Sequence, residues 1–145
     1  MKKIYISFLV LFLTIFSIAA QELALVREGG EYGYIDKSGE LVIATQFEDA
    51  ESFSDGLAAV EENELWGFIN PSGEWVIKPQ YEKVKDFNSG IALVLKDDIW
   101  QYTNKSGTPL ETPESDKYFD FNDGVAFLRS NELVGLIGTD GKVIL

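Results

Sequence analysis

Apolar and polar positions along the chain form a pattern that returns with a period of 34. Tyr32 opens the stretch YGYIDKSGELVI, and Trp66 opens WGFINPSGEWVI in the same phase. In each copy, short runs rich in aromatic and β-branched residues flank a polar tetrad: DKSG, NPSG, then NKSG in a third copy. Runs of that composition predict strands. An Asx residue with Gly three places on predicts a type I turn that ends left-handed, where Gly lacks the Cβ penalty. Each copy thus opens with a β-hairpin. A second polar turn (FSDG, FNSG, FNDG) precedes an apolar run, LAAV, IALVL or VAFL. Apolarity without alternation over so short a run predicts a strand covered on both faces. The intervening link reads as irregular, because Pro79 and Pro113 argue against a strand interior. Within it, EDAESF and YEKVKDF each have room for a single helical turn.

Several columns agree at this one offset. Gly33, Gly67 and Gly135 share a column in which Gln101 takes the third place, and Tyr32, Trp66, Trp100 and Val134 precede them. Gly39, Gly73, Gly107 and Gly141 form a second column without exception. Phe53, Phe87 and Phe121 form a third, and Gly56, Gly90 and Gly124 follow them as a fourth. Recurring aromatic and glycine columns are expected to serve core and close backbone packing. A single unit cannot bury enough surface alone, so neighbouring units must share a core.

The predicted fold is therefore all-β: stacked three-stranded antiparallel repeat units, solenoid-like, one unit per period. A closed ring, barrel-like or propeller-like, is the alternative. Glu22–Val26 aligns with Gly56–Val60, which divides the chain into a partial unit 22–31, units 32–65, 66–99 and 100–133, and a partial unit 134–145. Pairing the two ends would remove exposed edges. Closure has strict geometric demands, so an open or partly curled stack is favoured.

The first residues follow another pattern. Lys2 and Lys3 precede an apolar run, Ile4 to Phe16, and then the small residues Ser17 to Ala20. This predicts a helical secretory signal peptide over 1–20, cut after Ala19 or Ala20, ahead of a β domain over 21–145. The run is short of the roughly 20 residues of a membrane span, and a retained anchor is the alternative. The absence of cysteine excludes a lipidated start. Export would lead to the periplasm, the cell surface or the exterior. Loss of Lys2 and Lys3 leaves 10 basic residues against 24 acidic, a net charge of −14. Such a surface repels phosphate backbones, so no nucleic-acid partner is expected. Contact with a membrane is expected only through an uncleaved leader.

Leu65 to Val94, LWGFINPSGEWVIKPQYEKVKDFNSGIALV, resembles a WG repeat, also called KWG. The shared pattern is aromatic–Gly, hydrophobic–Asx, an SG turn, a V-I-x-P-Q-Y segment and a late F-x-x-G-x-A-x-V. The second copy carries nearly all of it, and the first has Tyr32 for Trp and Thr45 for Pro. The third departs at Gln101 and Ser115, and the fourth is truncated. The resemblance implies an exported bacterial β-rich interaction or scaffold module with no catalytic residues to carry over.

The residues themselves support little chemistry. With no histidine and no cysteine, Ser-His-Asp and Cys-His nucleophile systems and the usual zinc sites are excluded. Among 24 acidic residues some pair always lies at a glycosidase-like separation, so no catalytic carboxylate is expected. Asp97 and Asp98 are the nearest candidates, with a polar turn the favoured reading. The SDG and NDG segments at 54–56 and 122–124 suit turns and supply too few oxygens for calcium. No cofactor and no metal are expected. Trp75 stands apart from the other two tryptophans, because its column holds Leu41 in the first copy and no aromatic in the third. It is the tentative binding residue. The expected function is an exported, non-catalytic repeat module that binds a protein, with an envelope glycan as the alternative ligand. The glycan reading requires at least two aromatics exposed in a line.

Overall fold

A computed structural model describes residues 22–145 of the protein. The expected leader lies outside the described residues. Thirteen strands form four antiparallel sheets in chain order. The first sheet holds β1 (Ala24–Glu28), β2 (Glu31–Ile35) and β3 (Leu41–Phe47). The second holds β4 (Asp49–Ala50), β5 (Ala58–Glu62), β6 (Leu65–Ile69) and β7 (Trp75–Tyr81). The third holds β8 (Lys83–Val84), β9 (Ile91–Lys96) and β10 (Ile99–Asn104). The fourth holds β11 (Lys117–Tyr118), β12 (Val125–Ser130) and β13 (Leu133–Gly138). Among the described residues there is no helix.

The sheets are offset from the sequence period. The apolar strand that ends one unit pairs with the hairpin that opens the next, as in Val60 opposite Gly67. The turn between them makes this pairing local. Asn63 and Glu64 have φ of 54° and 63°, and Asp97 and Asp98 of 52° and 61°. Positive φ at both central residues is the type I′ geometry, whose twist matches that of a hairpin. The partial units at the two ends are thereby each part of a sheet.

The hairpin turns form as the Asx–Gly spacing predicts. The side-chain oxygens of Asp36, Asn70 and Asn104 accept bonds from the N–H groups of Ser38, Ser72 and Ser106 at 2.8, 2.9 and 3.0 Å. Gly39, Gly73 and Gly107 then take φ near 80°.

The Gly33 column has a different cause. Tyr32 pairs with Phe47 and Tyr34 with Ile43, so three residues of β3 bulge opposite Gly33 alone. A Cβ on Gly33 would lie 2.5 Å from the Ile43 carbonyl oxygen, and one on Gly67 2.5 Å from that of Ile77. In the third copy Gln101 carries a Cβ, and no full partner strand forms. There the pairing reduces to a bridge between Thr103 and Pro109 and a 2.9 Å bond from Leu110 N–H to the Tyr102 carbonyl.

The link differs from its sequence reading. β3 and β7 run on through Phe47 and Tyr81, and Pro79 sits within β7 opposite Gly67. Proline is tolerated there because the bulge leaves its nitrogen without a ladder bond to make. The expected helical turns are instead the short strands β4 and β8, which pair with β5 and β9.

Three apolar clusters fill the gaps between the four sheets. β5 sends Ala58 and Val60 back to the first sheet and Ala59 forward to the third, so both faces are covered. β9 repeats this with Ala92 and Val94 backward and Leu93 forward. Each late phenylalanine meets a fully buried ring of the preceding sheet: Phe53 with Tyr34 at 4.8 Å, Phe87 with Phe68 at 4.6 Å, Phe121 with Tyr102 at 5.1 Å. Rings at such distances and tilts add about 0.5–1.5 kcal/mol each beyond their burial. The Tyr34 and Tyr102 hydroxyls also donate to the Glu51 and Phe119 carbonyls of the next sheet at 2.7 and 2.6 Å. On the rim, Gly90 N–H donates to the Asp55 carboxylate at 2.6 Å and Gly124 N–H to the Ser89 hydroxyl at 2.8 Å. Lys105 bridges Asp55 at 3.0 Å. Among the described residues no strand of the first sheet pairs with one of the last, so the sheets do not close into a barrel.

Candidate functional site

The column Tyr32, Trp66, Trp100 follows each type I′ turn, at the margin of the stack. Position decides its burial. Each ring packs against an inter-sheet cluster, yet all three are only half-buried. The aromatic body of each is used for packing, and the remainder faces solvent. Val134, the fourth member, is 65% exposed.

Two recesses open beside this column. One, of about 300 Å³, is lined by Glu51, Trp66, Lys83, Val84, Lys85 and Trp100. Its neighbour, of about 410 Å³, is lined by Lys85, Leu93, Trp100, Asp116, Lys117, Tyr118, Phe119 and Asp120. Lys85 and Trp100 line both, so the two recesses adjoin and together make a grooved surface. The linings correspond at the repeat offset: Trp66 with Trp100, Lys83 with Lys117, Val84 with Tyr118, and Glu51 with Lys85. The groove is thus a product of the repeat, lined by aromatic residues and lysines. Lys117 Nζ lies 4.9 Å above the Phe119 ring, a cation–π contact. A third recess of about 350 Å³ adjoins at Lys85 and Asp120, with Asp86 and Asn88.

Electrostatics in this region follow from burial. Asp86 has its carboxyl raised above the usual range, chiefly by desolvation and then by Asp120. The Tyr102 hydroxyl is also raised, first by burial. Mixed signs and aromatic surface suit recognition of an extended chain by contact and hydrogen bonding. The groove holds no thiol or imidazole. Among the described residues no three carboxylates converge to hold a metal ion.

Asp97 and Asp98 lie exposed in the β9–β10 turn. Trp75 is half-buried, edge-on to Phe47 at 5.9 Å, and lines none of the three recesses. Its ring covers Gly67, where a Cβ would come within 2.8 Å of it. The structure therefore brings Trp66 and Trp100 together along one groove and leaves Trp75 in the cluster between the first and second sheets. Sequence reasoning missed Lys83, Lys85, Lys117, Tyr118 and Phe119, all in the link taken as irregular. The signal was the pair Lys83 and Lys117, which share a column one repeat apart.

No helix of the described residues is long and apolar enough to cross a membrane. No curated protein and no solved structure matches the chain. The family described as WG containing repeat matches it twice in tandem, over residues 32–66 and 66–100. The first match starts on Tyr32 and the second on Trp66, the half-buried aromatics of one column, of which Trp66 lines a recess. The chain is a WG-repeat protein.

Proposed function

We propose that this protein is an exported, non-catalytic binding module whose groove holds an extended segment of a partner protein. The observation that supports it most is that Trp100 and Lys85 line both of two adjoining, repeat-related recesses. Packed sheets lie about 10 Å apart, so each repeat of the groove spans roughly three residues of extended peptide. Tryptophan and tyrosine are enriched at protein interfaces because they bury large area with few rotors. Export is carried by the pattern of the leader alone.

One observation favours a glycan instead: Trp66 and Trp100, both partly exposed, stand in line along the stack. The two readings separate in a single experiment. A displayed peptide library and a glycan array are probed with the wild type and with Lys85→Glu. Lys85 is exposed, so the variant keeps the fold and reverses the charge shared by both recesses. Peptides enriched by the wild type and lost with the variant support the first reading. Glycan signals lost in the same way favour the second. Binding insensitive to the substitution removes the groove from the function.

A further inference from the structure

Resting on the groove reading, we propose that the segment held there is acidic: a polyproline II stretch with a carboxylate at every third residue, bound by Lys83, Lys85 and Lys117. The chain carries 24 acidic residues against 12 basic, a net charge of −12, so a group of lysines around one surface runs against its composition. Three of them nevertheless line the two adjoining recesses. The repeat shows where the sign changes. The first copy has Asp49 and Glu51 in these two columns, the second has Lys83 and Lys85, and the third keeps Lys117. The reversal accompanies the change from Tyr32 to Trp66 and Trp100, the two tryptophans that line the recesses. All three lysines are exposed, and among the described residues none forms an ion pair with a carboxylate. The acids of the lining are placed differently. Asp116 accepts the Asn131 N–H at 2.7 Å, which commits it to the β12–β13 turn. Asp120 acts on Asp86 in the third recess, where Lys85 offsets part of their charge. Glu51 lines the smaller recess alone.

Ammonium groups without internal partners, set among half-buried aromatic rings, suit carboxylates carried on an apolar segment. Spacing selects its conformation. Lys83 and Lys117 are equivalent positions in consecutive sheets, and packed sheets lie about 10 Å apart. One turn of polyproline II takes three residues at about 3.1 Å each, roughly 9 Å, and returns the side chain to the same side. A β-strand returns it every two residues, roughly 7 Å, out of step with the stack. Polyproline II has no internal hydrogen bonds to lose, and its preformed shape docks on aromatic-lined grooves at low entropic cost. The acidic surface elsewhere opposes a negative partner at long range. At about 0.15 M salt the Debye length is roughly 8 Å, so that repulsion is screened while contacts with the lysines persist.

Tryptophan fluorescence of the full chain at that salt reports binding of three synthetic peptides: repeats of Glu-Pro-Pro, Gln-Pro-Pro and Lys-Pro-Pro. The glutamate peptide is expected to bind tightest. Lys83→Gln and Lys117→Gln, both at exposed positions, should each weaken it by roughly two- to fivefold with the melting temperature retained. Both variants should leave the glutamine peptide unchanged. Equal binding of the glutamate and glutamine peptides, or tighter binding of the lysine peptide, would overturn the inference. So would a glutamate peptide indifferent to both lysine variants. Polygalacturonate, a carboxylated polysaccharide, bound more tightly than the glutamate peptide would place the carboxylates on a glycan and overturn it as well. The groove reading is judged separately: it stands if library peptides of any charge are lost with Lys85→Glu, and falls if they are not.

Discussion

Gly67→Ala tests the reason given for the glycine column. The new Cβ would lie 2.5 Å from the Ile77 carbonyl oxygen, 2.8 Å from the Pro79 nitrogen and 2.8 Å from the Trp75 ring. Two of these neighbours are backbone, so relief requires the β7 bulge to move away from β6. Forced repacking of this kind is destabilising by about 1–3 kcal/mol. Loss of glycine freedom in the unfolded chain offsets about 0.4–1 kcal/mol. The net expectation is about 1–2 kcal/mol, which lowers the melting temperature by roughly 4 °C per kcal/mol in a domain of this size. Urea denaturation reports the free energy, and hydrogen exchange across 75–81 reports the strand. Val76 to Tyr81 should lose protection more than β5 does, since the third copy shows that a side chain at this column accompanies loss of the partner strand. Gly56→Ala is the control: it has open space around it and φ of 85°, so only conformational strain is added. An unchanged urea midpoint in Gly67→Ala, with full protection of β7, would refute the steric explanation.

Three further outcomes are expected. Glu64→Gly relieves a residue held at φ 63° in a type I′ turn and should stabilise by about 0.5–1 kcal/mol, read by urea midpoint; a loss of stability would contradict that turn assignment. Asp86 has a raised folded pKa, so the folded state holds its proton more tightly and stability declines as pH rises from the unfolded to the folded value. Asp86→Asn should therefore raise the melting temperature at pH 7 and change it little below pH 4; equal melting of both proteins at pH 7 would remove the argument. At Asp55 burial alone would raise the pKa, but Lys105 and the Gly90 N–H together hold it below the usual range. Its contribution is present above the unfolded pKa and disappears as pH falls through the lower folded value, so Asp55→Ala should flatten the acid limb of the stability profile in thermal melts.

Much of the fold was legible in the sequence because its causes are local. An Asx oxygen satisfies N–H groups two and four residues on, so DKSG, NPSG and NKSG announce their turns wherever the chain goes. The uniform apolarity of LAAV and IALVL likewise anticipated strands sandwiched between two sheets. Membership of the WG repeat followed from the same positions. The link was misread because proline's preference against strands assumes a regular ladder, and a bulge removes the hydrogen bond that proline lacks.

The sequence by itself determined the period, the hairpins and the all-β character. It left the phase of the repeat open, since a periodic pattern specifies spacing but no starting point. Only the tertiary structure decided that each apolar strand joins the following hairpin, through a two-residue turn tight enough to make that pairing local. It also decided that Trp66 and Trp100 are half-buried beside a common groove while Trp75 packs on Phe47. Burial is a property of what lies on both sides of a ring, and those neighbours come from sheets a full repeat away along the chain.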